Sequence, residues 1–409
     1  MDIIAIKART QKFSAETATH VSCLLSVFLM PISTTGLHVS LLCVVSFWLL
    51  SDQMRSQARF CFQHPVSKMC LGFFAWYVLG SLYSSGTPGD ILDVLSKMSK
   101  LLYVPFFLPT FSDKKWRNYA MLSFIAAMIL SLGLGAIQLT TGHPFLTFKN
   151  KGPGAIFKNH IDTNLLMAFS VFVLAQTITL NIKPLMKFGI GLLMFCMILY
   201  VLWGSAGRSG YFVFIALWIL FCVQHLKLRN FMLGFMTLIL VLTCATEFST
   251  VFRERLQIIP KQIKEYQRGE QATSVGFRLQ FYKNTFLLAK ERPWFGWGTG
   301  SMKQIYGAHA EQNNLFQIKN PHNEYLNVLF QLGICGLLVL MGMFGLLFYF
   351  SFKLPLFEGR ILQGVLISMS LGCFGNSLLM DFTSGHWFVF IITLCMASLQ
   401  GFSRKTVHE

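Results

Sequence analysis

The chain has 409 residues, of which 54% are hydrophobic and only 12% charged, about half the charged share of an ordinary globular domain. So little charge cannot cover a water-soluble surface, which excludes a soluble protein built around one large core. The formal net charge of +17 would suit a nucleic-acid partner, but the Lys and Arg residues fall in short clusters between apolar runs, so no continuous basic strip forms.

At the N-terminus, Lys7, Arg9 and Lys12 precede an apolar run with no small-residue cleavage site, which reads as an uncleaved first helix. A hydrocarbon core about 30 Å thick needs roughly 17 to 25 helical residues. Apolar stretches of about that size lie near 18–34, 36–51, 67–84, 92–111, 118–140, 161–180, 185–203, 209–224, 230–247, 323–350, 361–379 and 386–402. They predict an all-α, polytopic integral membrane protein of about 12 transmembrane helices. Residues 1–248 form a membrane domain of nine spans, 249–321 a large loop, and 322–409 three further spans and a C-terminal tail. Nine of the ten cysteines lie in or beside apolar stretches and Cys61 lies in a basic loop; they read as small buried residues without zinc spacing.

Loop charge sets the orientation. With both termini inside, the inner segments carry 17 basic residues: Lys7, Arg9, Lys12, Arg55, Arg59, Lys68, Lys114, Lys115, Arg117, Lys183, Lys187, Lys227, Arg229, Lys353, Arg360, Arg404 and Lys405. The short outer segments carry six: Lys97, Lys100, Lys149, Lys151, Lys158 and Arg208. The other 11 lie in the 249–321 loop, which is long enough to cross regardless of charge and is therefore placed outside.

A hydrophilic loop of this length is the first place to look for chemistry. The stretches from Val251 and from Phe277 read as amphipathic helices that suit the bilayer surface. Eleven basic residues face five acids, Glu254, Glu265, Glu270, Glu291 and Glu311, and simple attachment to anionic lipid accounts for most of the lysines. The segment Trp294 to Gly300 looks superficially like a phosphate loop, but it follows Pro293 and no strand precedes it, so it reads as a tight turn. Trp297 and Tyr306 are candidates for stacking on sugar rings; interfacial anchoring explains them equally well.

Beyond the loop, Asn320 reads as an N-cap and Pro321 as the first helical residue, which puts His322 in the first turn at the outer surface. Gly333 and Gly336 then lie on the same face, roughly 17 to 21 Å below. In this reading the glycines admit a neighbouring helix and so fix the aim of the imidazole. An ordinary interfacial histidine fits the same position. Arg208, in the small-residue turn Gly204 to Gly210, sits where a helix N-terminus would help hold a phosphate or diphosphate. An arginine snorkelling to lipid head groups is the plainer alternative. Arg278 opens the second loop helix and approaches from above.

At these residues the chain resembles the O-antigen ligase family, whose signature is a histidine, then Asn, Ser or Gln, nine residues, Gly, two residues and a small or aromatic residue. Here it reads His322, Asn323, Gly333 and Gly336, and the layout of spans and large periplasmic loop matches over the whole chain. The resemblance implies an arginine pair at Arg208 and Arg278, an acid at the outer end of the penultimate span at Asp381, and a basic residue after the second span at Lys68. It also puts Asn323 at the substrate. The implied reaction transfers O-antigen polysaccharide from undecaprenyl diphosphate to lipid A-core on the periplasmic face of a bacterial inner membrane.

No cofactor or metal is expected: the sequence has no Asp-x-Asp motif, so the arginines would neutralise the diphosphate. His322 would accept the acceptor's hydroxyl proton in an inverting displacement, with Asp381 orienting or activating the same group. Membrane lipids are the remaining partners, and no nucleic acid is expected. An O-antigen polymerase, a protein oligosaccharyltransferase and, from another class, a lipid-linked glycan flippase remain as rivals. The flippase would show internal repeats and charges buried mid-span.

Overall fold

The computed structural model describes residues 14–141, 155–269 and 273–399. The basic residues Lys7, Arg9, Lys12, Lys149, Lys151, Arg404 and Lys405, the acid Glu270 and the expectation about N-terminal processing lie outside them. In chain order the helices are α1 (Ala15–Leu29), α2 (Thr34–Leu50), α3 (Asp52–Ser56), α4 (Ala58–Gln63), α5 (Pro65–Ser81), α6 (Pro88–Met98), α7 (Val104–Ser112), α8 (Lys114–Thr141) and α9 (His160–Ile178). They continue as α10 (Pro184–Leu199), α11 (Arg208–His225), α12 (Leu228–Phe248), α13 (Thr250–Gln267), α14 (Ser274–Ala289), α15 (Met302–Gln312), α16 (Glu324–Ser351), α17 (Leu356–Gly375) and α18 (Phe382–Met396). There is no strand among the described residues.

Among the described residues, six helices are long and apolar enough to cross a membrane: Lys114–Thr141, His160–Ile178, Pro184–Gly204, Arg208–His225, Asn230–Phe248 and Glu324–Ser351. Shorter apolar helices accompany them at Ala15–Leu29, Thr34–Leu50 and Phe382–Met396. The outward faces of α10 and α12 are apolar, with Leu185, Phe188, Leu192, Phe195, Met232, Leu233, Met236 and Leu240 all exposed. Water would not tolerate so large an apolar surface, whereas lipid does. This is the architecture of a polytopic membrane protein. At its centre α18 is buried on almost every side, with Trp387 against Phe169 of α9 and Phe390 against Phe107 of α7.

Local chemistry sets the element ends. Ser33 caps α2 by accepting from the Gly36 amide at 3.0 Å, only four residues after the end of α1. The apolar stretch near 92–111 is not one helix: α6 gives way to a 3-10 turn, Ser99–Tyr103, before α7, which carries Pro105 and Pro109.

The largest departure from expectation lies in α16. Gly333 has φ 67° and ψ −168°, so the helix breaks there instead of presenting a smooth glycine stripe. A break frees backbone groups that must find partners in a water-poor setting. The Trp294–Gly300 turn supplies them. The Phe330 and Gln331 carbonyls accept from the amides of Trp297 at 2.9 Å and Gly298 at 2.8 Å, while the amides of Ile334 and Cys335 donate to the carbonyls of Pro293 and Trp294. Gly296, Gly298 and Gly300 all have positive φ, which lets this turn lie flat against α16 and α5; the Thr299 amide reaches the Gly80 carbonyl at 3.0 Å. A Cβ on Gly333 would stand 2.2 Å from the Trp294 carbonyl oxygen, so its role is to admit the turn and not a neighbouring helix.

The loop helices do not simply lie on a bilayer surface. Phe281 and Leu288 of α14, Met302, Tyr306 and Ala310 of α15, Ile318 of the segment before α16 and Phe330 of α16 form a small core of their own, which seats the loop on the start of α16.

Candidate functional site

His322 lies outside α16, not in its first turn. Asn323 is the N-cap, its side chain accepting from the Leu326 amide at 3.0 Å, and His322 has φ 55°. Asn320 is therefore not the cap. Its Oδ1 instead accepts from the His322 amide at 2.8 Å and from the Ser377 hydroxyl at 2.6 Å. Left-handed backbone at a non-glycine residue costs free energy and persists only where the surroundings impose it. Here they do so from three directions: Asn320 on the amide, the Tyr282 hydroxyl 3.1 Å from the His322 carbonyl, and the Asn323 side-chain amide donating to Phe374 at 3.1 Å. The Phe281 ring faces the imidazole at a centroid distance of 6.3 Å, inclined by 29°.

Arg208 is the first residue of α11, on a turn where α11 meets α9 without clearance. A Cβ on Gly207 would fall 2.6 Å from the His160 carbonyl oxygen, and the Asn164 side chain donates to the Gly207 carbonyl at 2.9 Å. The Arg208 guanidinium reaches across to the Ser274 hydroxyl at the start of α14, 2.6 Å away. One turn further along α14, half-buried Arg278 lies within electrostatic reach of both Arg208 and His322. Arg255 of α13 stands close to Arg208 as well. No carboxylate among the described residues pairs with any of these three guanidiniums. Clustered like charges without acids favour an anion between them. His322 feels the same field: its partial desolvation and then the Arg278 charge hold its pKa below the usual 6.5.

His322 also lines a cavity of about 390 Å³ that it shares with Asp381. Asp381 caps α18, its Oδ1 accepting from the Thr383 amide at 2.9 Å. The segment leading to it is clamped by two fully buried charges. Glu324 accepts from the amides of Leu379 at 2.9 Å and Met380 at 3.1 Å, and Lys100 donates to the carbonyls of Leu379 and Asp381. Neither charge stood out in the sequence. Glu324 lies two residues after the signature histidine, and Lys100 shares its apolar stretch with Lys97. Tyr282 and Arg255 carried no sequence signal that separates them from other loop residues.

Three candidates fall elsewhere. Tyr306 is fully buried in the loop's small core, so its ring has no open face for a sugar and it is a packing residue. Trp297 packs against the same core, donates its indole N–H to Leu288 at 2.9 Å and is covered by the Arg292 guanidinium at 4.4 Å. Lys68 is exposed near the start of α5, about 18 Å of helix from Gly80, where α5 meets the Trp294–Gly300 turn. It does not line the His322 cavity.

Residues 192–341 match the family model described as O-antigen ligase. The match bears out the resemblance to the O-antigen ligase superfamily. It covers Arg208, Arg278, His322, Asn323 and the α16 break, and leaves Lys68 and Asp381 outside. No curated protein matches the chain.

Proposed function

From a membrane architecture whose residues 192–341 match the O-antigen ligase family, we propose a glycosyltransferase that joins O-antigen from undecaprenyl diphosphate to lipid A-core. It acts on the periplasmic face of the bacterial inner membrane, with both termini cytoplasmic. The observation that supports this reading is that His322 lines an open cavity and feels the charge of Arg278, which itself lies within electrostatic reach of Arg208.

Arg208 and Arg278 hold the donor's diphosphate, and Arg255 adds a third charge nearby. Cations fixed by the fold stabilise the negative charge that grows on the departing diphosphate without reorganisation cost, so a divalent ion is not required. His322, neutral because its pKa is lowered, accepts the acceptor's hydroxyl proton as that oxygen attacks the anomeric carbon. The new C–O bond forms as the bond from the anomeric carbon to the phosphate oxygen breaks, configuration inverts, and undecaprenyl diphosphate leaves with the electron pair. The proton then passes from the imidazolium to water. Asp381, across the cavity, orients the incoming hydroxyl, and Asn323 acts by holding the His322 backbone in place.

The lipid products of a deletion strain test the reading. A ligase predicts bare lipid A-core with lipid-linked polymer accumulating outside. Core bearing a single repeat would instead mean a polymerase, and precursor retained inside a flippase.

A further inference from the structure

His322 has two unlike neighbourhoods. The guanidinium side is uniformly positive, whereas the walls of the 390 Å³ cavity alternate in sign. Asp90, Asp93 and Lys97 lie on one face of α6, at spacings of three and four residues. Lys97 donates to Asp93 at 2.7 Å, and Lys303 from the loop reaches Asp90 at 3.4 Å. Lys319 and Asp381 complete the charged lining, with the buried Asp162 side chain beside them.

A phosphate entering here would find two of the three lining lysines, Lys97 and Lys303, already matched by acids. Nor do three of the His, Cys, Asp and Glu side chains converge closely enough to hold a metal ion, among the described residues. What such walls suit is a neutral polyol, whose hydroxyls need acceptors and donors at short intervals: carboxylates take the hydroxyl protons and ammonium groups give theirs to the hydroxyl oxygens. The size falls at the small end of ordinary ligand pockets, which fits the end of a glycan and not a polymer chain.

We infer that this cavity binds the non-reducing end of the acceptor glycan, with α6 supplying recognition through Asp90, Asp93 and Lys97, and delivers one hydroxyl to His322. The inference rests on the transferase reading above. It divides the site at the imidazole: diphosphate on the arginine side, acceptor sugar on the aspartate–lysine side. It also makes α6 a determinant of which acceptor is used.

Asp93 and Lys97 provide the test, because their ion pair is exposed and contributes little to folding. Purified full-length protein is assayed with an undecaprenyl-diphosphate-linked oligosaccharide as donor and deacylated lipid A-core oligosaccharide as acceptor. In Asp93→Asn, Lys97→Gln and the double variant, the acceptor KM is expected to rise about tenfold, the loss of one or two charge-assisted hydrogen bonds, while the donor KM stays constant. Calorimetric titration of the same acceptor into His322→Ala protein, with and without the α6 substitutions, should show a matching loss of affinity. An unchanged acceptor KM, or a rise in the donor KM instead, overturns the assignment. His322→Ala separates the two levels. If it is inactive while the α6 variants bind acceptor normally, only the cavity assignment fails; if it is fully active, the role of His322 as base fails; and if the wild type itself transfers nothing, the transferase reading fails first.

Discussion

The Tyr282 hydroxyl lies 3.1 Å from the carbonyl oxygen of His322 and 2.7 Å from that of Phe374, so one proton is shared between the segment carrying the imidazole and the end of α17. Tyr282 stands one helical turn beyond Arg278 on α14. The same loop helix therefore carries Arg278 and fixes the backbone of His322, the proposed base.

Tyr282→Phe removes only that hydroxyl. One hydrogen bond of this kind contributes about 1 kcal/mol, and here it opposes a left-handed backbone that would otherwise relax. The expected result is a kcat lowered about fivefold with the protein still inserted and folded. Initial-rate kinetics on the purified variant check it, and an unchanged kcat would leave Tyr282 with a packing role alone.

The pH profile follows from the sign of the His322 shift. Desolvation and then the Arg278 charge lower its pKa, so the imidazole is neutral and able to accept a proton down to below pH 6.5. The acid limb of kcat/KM is expected below that value. Arg278→Gln removes one of the two causes, and the limb of its residual activity should move up toward 6.5. A limb that stays put or moves down would show that the two residues do not share a field.

Glu324 separates acceptor geometry from charge. Glu324→Ala strands two buried amides, those of Leu379 and Met380, at about 1 to 3 kcal/mol each. It should therefore lower the thermal midpoint in detergent and weaken activity by displacing Asp381. Glu324→Gln keeps an oxygen at the same position and should recover most of both. Equal damage from the two variants would point to the charge itself.

Gly333→Ala should fail where Gly342→Ala succeeds. A Cβ at Gly333 meets the Trp294 carbonyl at 2.2 Å on a residue whose φ is 67°, whereas nothing lies within 4 Å of a Cβ at Gly342. The first change expels the Trp294–Gly300 turn from its place on α16 and should abolish activity. The second replaces glycine by a better helix former and should be neutral or stabilising by up to about 1 kcal/mol. Folded yield and transfer rate of both proteins decide the matter.

Apolar length made the membrane helices legible, because a bilayer imposes one requirement on every span and composition reports it directly. Of the loop helices, α13 and α14 coincide with the stretches read from Val251 and Phe277, whereas α15 was not anticipated, and the fourth apolar stretch proved broken at a 3-10 turn ahead of its prolines. The α16 break was not legible as a break. Gly333 reads equally well as a packing glycine until the backbone that approaches it is known, and that backbone comes from a turn whose three glycines lie more than thirty residues earlier. His322 was found by type and spacing, but its position outside the helix depends on Asn323 winning the cap from Asn320, a choice settled by the tertiary contacts with Ser377 and Phe374. Glu324 and Lys100 were missed because both act on backbone groups about 55 and 280 residues away, which leaves no local pattern to read.

The most direct test of the central claim is transfer by purified protein of a labelled oligosaccharide from undecaprenyl diphosphate to lipid A-core, with His322→Ala compared against Arg208→Ala and Arg278→Ala. The account predicts that the wild type forms an inverted glycosidic product without added metal, that His322→Ala still binds donor but transfers nothing, and that each arginine variant loses donor binding. Wild-type transfer rates from His322→Ala, or undiminished donor affinity in both arginine variants, would contradict it.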